Sequence, residues 1–286
     1  MDTQKKHKPR FSFEFFPPKT EVGAQKLQVV CEKLAAVNPS FFSVTYGAGG
    51  STRDRTFATV QDVRKVSGIC TAPHLSCVGD NRDELVALIK RYQSEGINRI
   101  VALRGDLPSG MGAADGDLKY ASDLVRLIRE ETGDHFHIEV AAYPEKHPQA
   151  PTLASDLQAF KAKVDAGADS AITQYFYNVD AYRFFVDRCE KLGLDIPIIV
   201  GVMPIINYEN LLRFSSSCGA EIPRWIRMQM ESFHGDATSI AQLGEEIVTR
   251  FCEQLLAVGA PGIHFYTMNQ AEPTLAIWNN LGIGKR

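Results

Sequence analysis

Glu14 is the first residue placed to do acid–base chemistry. It stands in FSFEFFPP, where strand alternation puts Ser12, Glu14 and Phe16 on one face and Phe11, Phe13 and Phe15 on the other. If the phenylalanines pack outward, the carboxylate points into an apolar cavity. Burial there disfavours its charged form and suits it to donate a proton near neutral pH. A surface or salt-bridged glutamate is the competing reading. Arg104, Gly105 and Asp106 open a second constellation, RGDLP. Gly105 lets backbone approach a ligand closely, and Asp106 offers a fixed negative charge able to tune a redox cofactor or stabilise a cation. A tight turn capped by aspartate would use the same residues.

The segment VTYGAGGS (Val44–Ser51) is glycine-rich yet is neither a dinucleotide-binding fingerprint nor a P-loop. It can still hold a phosphate or admit a flat ring. YPEKHP (Tyr143–Pro148), followed by Asp156 and Lys163, is able to clasp a sugar or phosphates. The plainer reading is a solvated helix entry with an ordinary charge pair. His74 precedes Cys77 by three, and His135 and His137 share a strand face, but neither set completes a tetrahedral metal site. No GxSxG nucleophile motif occurs.

These residues sit on a repeated strand-and-helix rhythm. Short β-rich runs occur at Phe11–Phe16, Phe41–Tyr46, Ile69–His74, Arg99–Leu103, His137–Tyr143, Ser170–Phe176, Pro197–Val202 and Gly262–Thr267. Between them lie amphipathic stripes: Leu27, Val30, Cys31 and Leu34; Leu85, Leu88, Ile89 and Tyr92; Leu124, Leu127 and Ile128; and Leu243, Ile247 and Phe251. Glycines 96, 133, 167, 193 and 259 mark helix ends. Strand then helix, eight times, predicts a single-domain α/β protein, a parallel (β/α)8 TIM barrel, with a doubly wound sheet as runner-up. Active sites of such barrels lie at the C-terminal strand ends. That rim would hold Glu14, Thr45, Tyr46, His74, Arg104, Gly105, Asp106, Tyr143, Gln174 and Tyr266.

Composition narrows the class. The chain has 286 residues, 44% hydrophobic and 23% charged, ordinary for a globular protein. A net charge of −3 gives no reason to expect nucleic-acid or membrane-surface binding. Six scattered cysteines without a CxxC pair read as reduced thiols, and no secretory or membrane-spanning segment is evident, so a cytoplasmic protein is expected. Residues 1–10 read as a flexible basic tail and residues 11–286 as the catalytic barrel.

FEFFPPK, VTYGAGGSTRDRT, APHLSC, IVALRGDLP, YASDLV, VAAYPEKHP, KVDAGADSAITQYFY and HFYTMN, in this order, resemble the motifs of bacterial single-domain methylenetetrahydrofolate reductases. The resemblance runs from about Phe11 to the C-terminus. It implies a barrel carrying FAD that reduces 5,10-methylenetetrahydrofolate to 5-methyltetrahydrofolate with NADH or NADPH, in ping-pong order, supplying methyl groups for methionine synthesis. It implies that Glu14 protonates folate N10, that Asp106 lies between flavin and pterin, and that Gln174 bonds the pterin or the nicotinamide amide in turn. FAD would be held by Thr45, Tyr46, Ala48, His74, Arg104, Gly105, Asp106, Tyr120, Ala121, Tyr143, His147, Ala150, Asp156 and Lys163. Phe214 would stack on nicotinamide or on the folate tail, and a helix-core phenylalanine is its competing reading. Gln270 stands at the folate-glutamate anchor, where close relatives often carry arginine; Ala159 replaces a polar residue often seen near the cofactor. A homo-oligomer such as a tetramer is implied, and no metal. A flavin subunit fed electrons by a partner protein and a metal-dependent barrel lyase are the rival hypotheses.

Overall fold

The computed structural model describes residues 1–46, 50–105 and 116–284. Eight strands form: β1 (Arg10–Phe15), β2 (Phe41–Val44), β3 (Thr71–Ser76), β4 (Arg99–Leu103), β5 (His137–Ala142), β6 (Ser170–Thr173), β7 (Ile198–Val202) and β8 (Gly262–Tyr266). They follow one another as a closed barrel in sequence order. The helices are α1 (Asp2–Lys5), α2 (Glu21–Ala35), α3 (Gly50–Ser67), α4 (Arg82–Ser94), α5 (Ala121–Thr132) and α6 (Leu153–Asp165). They continue as α7 (Val179–Lys191), α8 (Tyr208–Cys218), α9 (Arg224–Ser232), α10 (Ala237–Val258) and α11 (Glu272–Asn280). The (β/α)8 expectation therefore holds, with three helices filling the long interval between β7 and β8.

Two compact units make up the chain. One comprises Ser12–Ala141 and Ala159–Ala171; the other comprises Met1–Phe11, Ala142–Gln158 and Ile172–Arg286. In the first unit β1 to β5 pair in parallel, with Glu14 beside Ser43, Ser43 beside Ala72 and Val101 beside Glu139. Phe13, Phe15, Phe42, Leu75, Ile100 and Val140 are fully buried there, and so is Ser12 on the opposite face of β1. Burial on both faces is the condition of a parallel strand covered by helices. Phe16 lies just past the end of β1 and is 43% exposed, so it leaves the face expected for it.

Helix starts follow local chemistry. The side chains of Thr20, Asn81, Asn178, Asn207 and Asp236 each accept a backbone N–H in the first turn of the helix that follows. The stripes of α2 and α5 are buried as expected, whereas Leu88 and Leu243 are only half-buried. On α10 the buried place beside Leu243 belongs to Gly244, where a Cβ would overlap the carbonyl of Ile205.

The first unit also holds a buried carboxylate. Glu139 is fully enclosed and is bonded by Arg99 and by the hydroxyl of Ser170, with His137 Nε2 3.3 Å away. Burial alone would raise its pKa. The His137 hydrogen bond and the Arg99 charge win, holding it at about 2.

In the second unit, the first residues depart from the expected flexible tail. Asp2–Lys5 is helical, and Gln4 is buried, donating to the carbonyl of Ile196 and accepting from the N–H of Ile198 at the start of β7. A buried amide bonded on both sides fixes this segment.

Candidate functional site

The first unit places Glu14 against His74. One Glu14 carboxylate oxygen lies 3.2 Å from His74 Nε2, and both side chains are largely buried, at 16% and 8% exposure. The distance permits charge contact, but the ring nitrogen has no hydrogen-bond geometry with any partner among the described residues. The expected wholly apolar cradle for Glu14 is thus corrected: an imidazole shares it.

Thr45 and Tyr46 follow β2. Thr45 N–H continues the ladder to the carbonyl of Phe15, and its own carbonyl accepts from Thr56. The Tyr46 hydroxyl donates to Asp80 at 3.3 Å and accepts from Arg53 Nε at 2.9 Å, while Arg53 also pairs with Asp80 and with Glu84. Burial, then the charge of Asp80, pushes the Tyr46 phenol up to about 12, so it stays protonated. Arg53 and Asp80 were not singled out in the sequence. Only folding brings α3 and the loop between β3 and α4 to Tyr46, and no spacing in the chain signals it.

After β4, the carbonyl of Arg104 accepts from the Ser76 hydroxyl at 2.8 Å and from Val78 N–H at 2.9 Å. Gly105 has φ +90°, and a Cβ there would overlap Ser76 Oγ. Glycine is required for both reasons, and the group that comes close is Ser76 of the same chain. Tyr120 caps α5 through its N–H to Asp123 at 3.0 Å and is 62% exposed; Ala121 is half-buried beside it. Lys163 donates to the carbonyl of Ala141 at 2.5 Å. Ala48 and Asp106 lie outside the described residues.

In the second unit, Tyr143 and His147 meet edge to face at 4.6 Å between ring centres. His147 N–H donates to Asp156 at 2.9 Å, and Lys146 Nζ donates to the carbonyl of Ala150 at 2.8 Å. The YPEKHP loop is therefore tied to the first turn of α6 through Asp156. Tyr143 and Asp156 also line a cavity of about 260 Å³ with Phe184, Phe185 and Arg188. Gln174 lies just beyond β6; its N–H bonds the carbonyl of Ala142 at 2.8 Å, and its side-chain oxygen accepts from Tyr175 N–H at 3.0 Å. The expected strand through Phe176 ends at Thr173 instead. Tyr266 donates to the carbonyl of Thr173 at 2.6 Å. Phe214 on α8 is half-buried, with the Arg213 guanidinium 5.1 Å from its ring centre, and Gln270 is exposed.

A cavity of about 490 Å³ in the first unit is lined by Arg64, Lys65, Ile69, Cys70, Gly96 and Asn98, at the N-terminal ends of β3 and β4. That is the end remote from Glu14, His74 and Arg104, and it contains none of the candidate residues. Among the described residues no three His, Cys, Asp or Glu side chains gather to hold a metal ion, and no helix is long and apolar enough to cross a membrane.

Comparison with known proteins agrees with the motif order. The 5,10-methylenetetrahydrofolate reductases of Salmonella typhimurium and Escherichia coli are each 42% identical over 272 residues, 95% of this chain and 90% of theirs. A Clostridium thermocellum protein, described as uncharacterised and binding two copies of 5-methyl-5,6,7,8-tetrahydrofolic acid, shares the fold. Its TM-score is 0.69 at 19% identity, covering 99% of this chain and 98% of that one. The family profile of methylenetetrahydrofolate reductase matches residues 1–282, and the chain belongs to that family.

Proposed function

We propose that the chain catalyses reduction of 5,10-methylenetetrahydrofolate to 5-methyltetrahydrofolate with FAD as cofactor and NADH or NADPH as donor. The membership across residues 1–282 supports the reaction, and the Glu14–His74 pair is the observation that carries the chemistry. When bound, FAD supplies hydride transfer between nicotinamide and folate. One observation fits such a group: His74 Nε2 is buried without a hydrogen-bond partner among the described residues.

Glu14 is the proton donor to folate N10, the atom whose protonation opens the five-membered ring to the iminium that is reduced. Thr45, Tyr46, Ala48, His74, Arg104, Gly105, Asp106, Tyr120, Ala121 and Lys163, with Tyr143, His147, Ala150 and Asp156, hold FAD. Tyr46 meets it through its ring and backbone, because its hydroxyl is already committed to Asp80 and Arg53. Asp106 stabilises the cationic folate electrostatically. Gln174, Phe214 and Gln270 orient folate, and Gln174 takes the nicotinamide amide in turn.

The test is anaerobic. Purified protein loaded with FAD is mixed with NADH or NADPH and then with methylenetetrahydrofolate. Flavin absorbance that bleaches with the nicotinamide and returns with folate is expected. A flavin that ignores both nicotinamides would overturn the donor assignment in favour of a partner-fed subunit.

A further inference from the structure

The segments carrying Gln174 and Phe214 are joined by one buried hydrogen bond that neither residue makes itself. Tyr175 follows Gln174, and Ser215 follows Phe214. The Tyr175 hydroxyl lies 3.0 Å from Ser215 Oγ, and both side chains are 5% exposed. Burial, followed by the neighbouring Cys218 thiol, pushes the Tyr175 phenol above its ordinary value, so it remains protonated. The same tyrosine donates its backbone N–H to the Gln174 side-chain oxygen at 3.0 Å. Tyr175 therefore sets the Gln174 carboxamide with its main chain and holds α8 with its side chain.

We propose that the Tyr175–Ser215 hydrogen bond is a positioning device for folate, fixing the Gln174 carboxamide relative to the Phe214 ring. Apolar packing alone would not need it, since phenylalanine and alanine would fill the same places without hydroxyls to satisfy. A buried hydroxyl pair restrains in direction as well as distance, and losing either member removes that restraint. Both hydroxyls belong to one unit of the fold, so the restraint is local. It ties the loop after β6 to the middle of α8, near the last turn that Gly219 closes with its N–H on the Ser215 carbonyl at 2.9 Å.

The proposal rests on the reading of Gln174 and Phe214 as substrate residues, and the experiment separates the two. Tyr175→Phe, Ser215→Ala, the double variant, Ser215→Thr and, as control, Gln174→Ala are compared as FAD-loaded enzymes. KM for methylenetetrahydrofolate, kcat, FAD affinity and Tm are measured for each. Each single hydroxyl deletion is expected to raise folate KM roughly three- to tenfold, with kcat within about twofold and FAD affinity unchanged. The double variant should be no worse than the worse single one, because both remove the same bond. Ser215→Thr, which keeps the hydroxyl, should restore KM. A lower Tm with unchanged folate KM in both single variants would make the pair merely structural and overturn the proposal. If Gln174→Ala raises folate KM while Tyr175→Phe does not, the positioning role fails and the substrate reading stands. If Gln174→Ala leaves folate KM unchanged, the substrate reading fails and takes the proposal with it.

Discussion

Glu14 and His74 face each other across β2, with a carboxylate oxygen 3.2 Å from Nε2. The sheet register explains why. Glu14 pairs with Ser43 and Ser43 with Ala72, and His74 is two residues beyond Ala72. Two residues along a strand return a side chain to the same face. The small Ser43 side chain between them lets the longer two meet. Glu14→Gln keeps this shape and removes the transferable proton. Folate-dependent reoxidation of the flavin should fall at least about a hundredfold, while reduction by nicotinamide and FAD affinity stay within about threefold. Equal loss of both half-reactions in stopped-flow absorbance would remove Glu14 from proton transfer.

Gly105 is a second site where one atom decides. Its φ of +90° and the overlap a Cβ would make with Ser76 Oγ act together. Gly105→Ala should displace the Arg104 carbonyl from Ser76 and cost about 1–3 kcal/mol of stability. A lower Tm and weaker FAD retention on gel filtration are expected, and Ser76→Gly in the same chain should recover part of both. Wild-type retention and Tm in Gly105→Ala would show that the turn relaxes freely and that close approach is not needed there.

Most of the barrel was legible because its parts are local. Each strand is a short β-rich run closed by a turn, and each buried helix face repeats at three and four residues. The reading slipped where local pattern and tertiary demand diverge. Gln174–Phe176 continue an aromatic run that looks like strand, yet the chain leaves the sheet after Thr173 because Gln174 folds its side chain back onto Tyr175 N–H. Apolar counting on α10 picks Leu243 and passes over Gly244, whose burial comes from contact with Ile205. The first ten residues look like a basic tail, because nothing in their composition shows that Gln4 bonds Ile196 and Ile198 nearly two hundred positions away. The candidate site divides in the same way. Glu14 and Gly105 could be found from alternation and motif, whereas the Arg53–Asp80 clamp on Tyr46 and the Tyr175–Ser215 pair are products of folding alone.

Asp156 shows how the YPEKHP loop is held. Its carboxylate accepts from His147 N–H at 2.9 Å, and the His147 ring packs on Tyr143. Asp156→Ala leaves that N–H without its charged acceptor, a loss of about 1.5–3 kcal/mol. FAD binding, followed by quenching of flavin fluorescence, should weaken at least about tenfold, with Asp156→Asn falling between the two because it keeps an acceptor oxygen. Unchanged FAD affinity in Asp156→Ala would take this loop out of the cofactor site.

Glu139 makes a prediction that concerns stability alone. Its folded pKa of about 2 lies below its ordinary value of 4.5, so the unfolded chain binds its proton more readily than the native one. The resulting stabilisation is fully present above about pH 4.5 and is lost as pH falls toward 2. Removing Arg99 should cost about 3–5 kcal/mol at neutral pH, because Arg99→Ala takes the guanidinium from a fully buried carboxylate and leaves it only His137 and Ser170. Glu139→Gln should flatten the acid limb of a urea-denaturation series taken between pH 5 and pH 2, while the native protein loses stability steadily over that window. Parallel limbs for the two proteins would mean that other carboxylates govern acid unfolding. Double substitution to Arg99→Met and Glu139→Gln should recover much of what Arg99→Ala loses, because no buried charge is then left unpaired.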